Sequence, residues 1–90
     1  MNVKVFDTHV RTSAGHYLHF DVLTETSDAA RARQYAFAWL SSLGIQESDI
    51  SQNECRFCHS RVGDPQVAQS IARQGYFILP LQGFESATSR

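Results

Sequence analysis

The sequence predicts an α+β domain with two layers, in which a four-stranded mixed sheet carries two helices packed on one face. Segments rich in β-branched and aromatic residues alternate with segments of helical spacing, in the order β-β-α-β-α-β. Both helical connections are long enough to join parallel strands. Because ninety residues suffice for one domain, we expect a single α/β domain over residues 1–83 and a flexible C-terminal tail over residues 84–90.

The first two strands are predicted over residues 2–10 and 16–24, and a turn at Gly15 joins them. The short connection predicts an antiparallel hairpin, although several registers satisfy the pattern. In one of them a core face is formed by Phe6, Thr8, Val10, Leu18, Phe20 and Val22. The other face then carries polar side chains, which are Asp7, His9, Tyr17, His19 and Asp21.

The first helix is predicted over residues 27–43, with Thr26 or Ser27 as its cap and Gly44 at its end. Its apolar residues follow helical spacing and form one stripe. Trp39 lies on this stripe, so we expect it to anchor the helix to the sheet.

A third strand is predicted around residues 54–61, and a second helix begins at Asp64 and Pro65. This helix ends at Gly75, and a fourth strand follows over residues 76–81. Pro80 cannot donate a hydrogen bond to a neighbouring strand, so we place that end at an edge of the sheet.

The strongest chemical signature is Glu54-Cys55-Arg56-Phe57-Cys58-His59, which contains both cysteines of the chain. Cys-x-x-Cys-His is the pattern that attaches c-type haem. The first residues lack the cationic and apolar segments of a signal peptide, so no haem is expected. Zinc is a possible cofactor, with Cys55, Cys58 and His59 as ligands and a fourth from another histidine, which is His9, His16 or His19.

Two other interpretations of these cysteines are open. A reactive dithiol usually lies at the start of a helix, whereas this segment alternates like a strand. A regular strand places Cys55 and His59 on one side and Cys58 on the other, where the two thiols could neither form a disulfide nor share a metal. The interpretation that we favour is that both thiols are buried in the core as small apolar groups.

The polar face of the hairpin also has two interpretations. Two imidazoles beside two carboxylates on neighbouring strands are typical of a metal site or a proton-transfer site. The exposed face of an antiparallel sheet is ordinarily polar, however, and cross-strand pairs stabilise it slightly. We favour the second interpretation, and we expect this face to be where a protein partner or a second identical subunit binds.

Composition narrows the classes of function. A net charge of −1 and a pI near 6.4 provide no basic surface for nucleic acid and no polybasic anchor for a membrane. Two cysteines in a chain without a leader indicate the cytoplasm. We therefore predict a small soluble interaction or structural module, in which no residue pattern indicates catalysis. A zinc-binding domain is the alternative, and a thiol-dependent redox protein is the second alternative.

The chain resembles a family of small bacterial proteins known only as a domain of unknown function. The resemblance covers residues 2–83 and is carried by four segments: Phe6-Asp7-Thr8, His19-Phe20-Asp21, the Glu54–His59 segment and Gly75-Tyr76-Phe77-Ile78. The Glu-Cys-Arg-Phe-Cys-His run is its most specific part. The resemblance implies a small α/β fold of this element order, and it implies no reaction, cofactor, partner or catalytic residue.

Overall fold

A computed structural model describes residues 2–83 of the chain, so the predicted tail over residues 84–90 lies outside the described residues. It has four strands, which are β1 (Asn2–Thr12), β2 (Tyr17–Thr24), β3 (Ile50–Val62) and β4 (Tyr76–Gln82). Its helices are α1 (Ala29–Ser42) and α2 (Pro65–Gln74). A short 3-10 helix over Glu47–Asp49, which the sequence did not predict, precedes β3. The α+β class is confirmed.

The four strands form one sheet in the order β3-β1-β2-β4, and every neighbouring pair is antiparallel. The prediction of a mixed sheet was therefore wrong. Strands β2 and β3 run in the same direction, but β1 lies between them, so the connection through α1 creates no parallel pair. The connection through α2 leads from one edge strand to the other. Pro80 lies on the edge strand β4, as its missing N–H predicted.

The hairpin has the register that places the polar side chains together. Phe6 pairs with Val22, Asp7 pairs with Asp21, and His9 pairs with His19. One face of the sheet therefore carries the predicted core residues, and helix α1 packs on it through Ala32, Ala36 and Leu40. We call this the α1 face.

Helix α2 packs on the opposite face, which we call the α2 face. Its buried residues Val67 and Ile71 contact Val3, Val5 and Leu23. These three strand residues alternate with those of the α1 face, because Val5 pairs with Leu23 while the adjacent Phe6 pairs with Val22. The prediction that both helices pack on one face was wrong, since one end of the hairpin is apolar on both faces.

Local sequence explains where the helices begin and end. Asp28 caps α1, because its side chain accepts a hydrogen bond from the Ala30 N–H at 2.9 Å. Thr26 instead accepts from the N–H of Asp28, so the predicted cap lies one or two residues too early. Helix α2 follows the prediction: Asp64 caps it, Pro65 is its first residue, and Gly75 ends it with a left-handed φ of 97°.

Strand β3 contains a bulge at Cys58. Phe57 pairs with Phe6 and His59 pairs with Val5, so Cys58 has no partner on β1. The extra residue reverses the alternation, and His59 lies on the α2 face whereas Cys55 and Phe57 lie on the α1 face. The regular alternation predicted for this strand was wrong for that reason.

No helix in the described part of the chain is long and apolar enough to cross a membrane.

Candidate functional site

The α2 face is half covered. Helix α2 lies over the end that holds Val3, Val5 and Leu23, and the remaining part of the hairpin surface is polar. Three alternate cross-strand pairs form that part, which are Asp7 with Asp21, His9 with His19, and Arg11 with Tyr17. The strand period of two therefore places both histidines beside Asp7.

The carboxylate of Asp7 contacts both histidines. Its Oδ2 lies 2.8 Å from His9 Nε2, and its Oδ1 lies 2.5 Å from His19 Nε2. The two imidazole rings stack with their centroids 4.2 Å apart and their planes 12° from parallel. We call Asp7, His9 and His19 the Asp-His cluster. Both Nε2 atoms thus converge on the two oxygens of one side chain.

Tyr17 extends this hydrogen-bonded arrangement. Its hydroxyl lies 2.5 Å from His9 Nδ1, the ring nitrogen that does not face Asp7. The rings of Tyr17 and His9 also stack, with centroids 5.8 Å apart. Both nitrogens of His9 are therefore engaged, and its ring is held in one orientation.

Two carboxylates on this face have shifted pKa values. Burial alone would raise the pKa of Asp7, but hydrogen bonds from His19 and His9 and the charges of these rings outweigh it and lower the pKa. The pKa of Asp21 is raised, first by burial and then by the negative charge of Asp7. Ionisation is therefore easier at Asp7, between the histidines, than at Asp21.

The Asp-His cluster meets the geometric requirement for holding a metal ion. One ligand atom from each residue lies within 4.8 Å of the others. The three side chains are partly exposed, at 37% for Asp7, 31% for His9 and 24% for His19, so an ion could reach them from solvent. Within residues 2–83 this is the one group of three or more His, Cys, Asp or Glu residues so arranged.

A groove adjoins the cluster and encloses about 450 Å³. His9 belongs to both, because the groove runs from this residue towards the hairpin turn. The residues that line the groove are His9, Val10, Arg11, Tyr17, Gln52, Asn53 and Glu54.

The predicted zinc ligands lie in different surroundings. Cys55 is buried against α1, with its Sγ 3.5 Å from Thr8 Oγ1. Burial raises the pKa of the Cys55 thiol, and the contact with Thr8 only partly offsets this. Cys58 is an exposed free thiol in the bulge. His59 lies on the α2 face, where its charge acts on Asp21. The described arrangement does not bring these three side chains together.

The sequence predicted the polar face, where a metal or proton-transfer site was the less favoured interpretation and a simple solvated surface the favoured one. It did not indicate that Asp7, rather than Asp21, lies between His9 and His19, nor that Tyr17 is the partner of His9. The available signal was the alternation of both strands, which puts these side chains on one face in the register that the structure has. The distances depend on that register, which the alternation leaves open.

Known proteins are similar to this chain over nearly its whole described length. The sequence profile of the domain of unknown function DUF2024 matches residues 1–81. A similar solved structure is the NMR structure of protein NE1680 from Nitrosomonas europaea, a structural genomics target. It is 41% identical, covers 92% of this chain and 98% of its own, and superposes with a TM-score of 0.80. The search of curated proteins found no match. This chain belongs to the DUF2024 family.

Proposed function

We propose that this protein binds a divalent transition-metal ion through Asp7, His9 and His19. The observation that carries the proposal is the convergence of two imidazole nitrogens and one carboxylate oxygen within 4.8 Å of one another. The distances from Asp7 to His9 Nε2 and His19 Nε2 are 2.8 and 2.5 Å. Two ligands that each lie about 2.0–2.2 Å from a tetrahedral ion are roughly 3.3–3.6 Å apart, so these side chains would separate by roughly 0.5–1 Å to admit an ion.

The donor set indicates which metals suit the site. Imidazole binds zinc, iron, nickel and copper well, and two histidines with one carboxylate form the facial arrangement of non-haem iron sites and the ligand set of several zinc enzymes. Three protein ligands leave one or more positions open to water or to another ligand. The proposed site is therefore an open one rather than a closed structural one.

Tyr17 supports the proposal from outside the ligand set. A histidine that binds a metal through one nitrogen ordinarily donates a hydrogen bond from the other, which fixes the ring and its tautomer. With Nε2 of His9 on the metal, Nδ1–H would donate to the Tyr17 hydroxyl, which lies 2.5 Å away. The sheet thus provides both the ligand and the group that orients it.

The proposal keeps the zinc alternative of the sequence analysis but assigns it to different residues. Cys55 is buried on the α1 face, Cys58 is the exposed bulge residue, and His59 lies on the α2 face. A metal site at the Asp-His cluster needs no change in β3. The predicted protein partner or second subunit on this polar face stays a prediction, and it is compatible with a metal site there.

The test is titration of zinc into protein freed of metal with a chelator, followed by calorimetry. We expect one ion per chain, and substitution of His9→Ala, His19→Ala or Asp7→Asn should weaken binding at least about tenfold, as ligand-sphere changes commonly do. Co²⁺ in place of zinc adds a visible absorption spectrum that reports the ligands directly.

Two matched controls keep this experiment decisive. His16→Ala removes an exposed histidine of the hairpin turn whose hydrogen bond to Thr12 is made by its backbone N–H, so the variant should bind zinc normally. Cys58→Ser removes the exposed thiol and should also bind normally. Loss of binding in Cys58→Ser, or unchanged binding in both His9→Ala and His19→Ala, would refute the proposal.

A further inference from the structure

We propose that the groove beside the Asp-His cluster binds a small organic anion, with one carboxylate on Arg11 and a second donor atom on the metal ion. This inference rests on the proposed metal site. It concerns a different set of residues, because His9 is the one side chain that belongs to both the cluster and the groove. The ligand class follows from the position, the charge and the size of the groove.

Position comes from the strand geometry. Asp7, His9 and Arg11 are alternate residues of β1, so their side chains follow one another on the α2 face. Successive residues of a strand advance by about 3.3 Å, which puts Arg11 roughly 7 Å along the strand from His9. A molecule of a few carbon atoms can span that distance between a guanidinium and an ion held by His9.

Charge favours an anion. Among residues 2–83 no carboxylate forms an ion pair with Arg11, and its guanidinium lies over the Tyr17 ring, 5.4 Å from the ring centroid. Glu54 is the one carboxylate that lines the groove, and Arg56 Nη2 pairs with its Oε2 at 2.6 Å. A divalent ion on Asp7 would carry one unit of charge more than that carboxylate balances, so it would add positive charge beside the groove.

The chemistry of the lining narrows the anion to a carboxylate or a similar planar group. A guanidinium presents a rigid fork of N–H donors that matches the two oxygens of a carboxylate, and stacking on an aromatic ring orients that fork. Gln52 pairs with Arg11 across the β1–β3 ladder, and the Gln52 side-chain amide in the lining can donate a further hydrogen bond. The volume of about 450 Å³ lies within the range of small-molecule sites.

The experiment is calorimetric titration of malonate into the zinc-loaded protein and into the same protein without metal. Malonamide, which has the same size and no charge, serves as the ligand control. We expect malonate to bind the zinc-loaded protein only, with malonamide at least tenfold weaker.

Arg11→Gln should weaken malonate binding about tenfold and leave zinc affinity unchanged. Arg11→Lys should have an intermediate affinity for malonate, because it keeps the positive charge but loses the paired N–H donors of the guanidinium. Arg31→Gln, on the outer side of α1, is the matched control and should bind malonate normally.

The outcomes separate this inference from the metal proposal. If zinc binds but malonate does not, or if malonate binds equally to the metal-free protein or to Arg11→Gln, the anion site is refuted and the metal site stands. If zinc itself fails to bind, both are refuted. Zinc-dependent malonate binding that needs Arg11 supports both.

Discussion

At the scale of single residues, the central feature is one carboxylate that serves two histidines. His9 is two positions from Asp7 on the same strand, and His19 is the diagonal neighbour of Asp7 because it pairs with His9. Antiparallel pairing brings such neighbours within reach of long side chains. Since a carboxylate has two acceptor oxygens, each histidine can use its own, and neither is left without a partner.

This arrangement predicts how stability depends on pH in metal-free protein. The pKa of Asp7 is lower in the folded state than its usual value, so its ionised form stabilises the fold above the unfolded pKa, near 3.9, and this contribution is lost as pH falls through the folded pKa. We expect Asp7→Asn to be less stable than wild type at pH 5, with the difference shrinking towards pH 2. Urea unfolding at each pH, with chelator present, measures it.

Asp21→Asn is the matched control of opposite sign. The pKa of Asp21 is raised by burial and by Asp7, so its ionisation costs stability as pH rises through the folded pKa. This variant should be as stable as wild type or more so at pH 6, and should lose that advantage in acid. If both variants changed stability with pH in the same direction, the assignment of these shifts would be wrong.

The two cysteines should differ in reactivity. Cys58 is exposed and should react with a thiol reagent at the rate of an ordinary surface thiol. Cys55 is 8% exposed with a raised pKa, so it should react at least about a hundredfold more slowly, and only as fast as the fold opens. The Cys58→Ser variant leaves one thiol and isolates the slow phase. A fast phase in that variant would contradict the burial of Cys55.

At the scale of elements, the start of α1 tests whether the cap is assigned correctly. Asp28 accepts the hydrogen bond from Ala30 that would otherwise be unmade, and its charge lies at the positive end of the helix. Asp28→Ala should cost about 1 kcal/mol of unfolding free energy, whereas Ser27→Ala should cost a few tenths at most. Denaturant unfolding of both variants compares them, and a larger cost for Ser27→Ala than for Asp28→Ala would indicate the earlier cap that the sequence alone favoured.

The bulge in β3 leads to a prediction about deletions. Removal of Cys58 takes out the residue that has no partner and leaves Phe57 opposite Phe6 and His59 opposite Val5. We therefore expect the Cys58 deletion to fold with an unfolding free energy within about 1 kcal/mol of wild type.

Deletion of Arg56 is the contrasting variant. It would move Phe57 one position along β3 and on to the polar face, which removes its edge-to-face contact with Phe6 at a centroid distance of 5.8 Å. This deletion should be less stable than the Cys58 deletion by about 1 kcal/mol or more. If the two deletions were equally stable, Cys58 would not be the extra residue.

At the scale of the whole molecule, short sequence patterns correctly predicted the features that interactions between nearby residues determine. The alternation of β1 and β2 predicted the core face and the polar face, and Asp64, Pro65 and Gly75 predicted both ends of α2. The strand order, and the face of the sheet on which each helix packs, depend on contacts between residues that are distant in sequence. Local patterns therefore did not predict them. The second core contains three apolar strand residues, which are Val3, Val5 and Leu23. Their presence did not predict a helix on that face, because strands often carry some apolar residues on both faces.

Dependence on contacts distant in sequence also explains why the candidate site was not the favoured interpretation. The sequence predicted a possible zinc site at three residues that are close in sequence, Cys55, Cys58 and His59. In contrast, His9 and His19 are ten residues apart and become neighbours only through the hairpin. The bulge that puts His59 and Cys55 on opposite faces results from the pairing of β3 with β1. No residue type in β3 predicts its position. Proximity in sequence was thus a poor guide to which side chains lie close together in the fold.

Metal binding should be visible in the stability of the whole domain, because the Asp-His cluster joins the two central strands, β1 and β2. An ion that binds the folded state alone stabilises it by about 2.7 kcal/mol when its free concentration is a hundredfold above Kd. For a domain of this size that raises the Tm by more than about 10 °C. Differential scanning calorimetry with zinc, and again after chelation, should show this rise in wild type and in His16→Ala. It should be absent in His19→Ala, and a rise that survived in this variant would place the ion elsewhere on the chain.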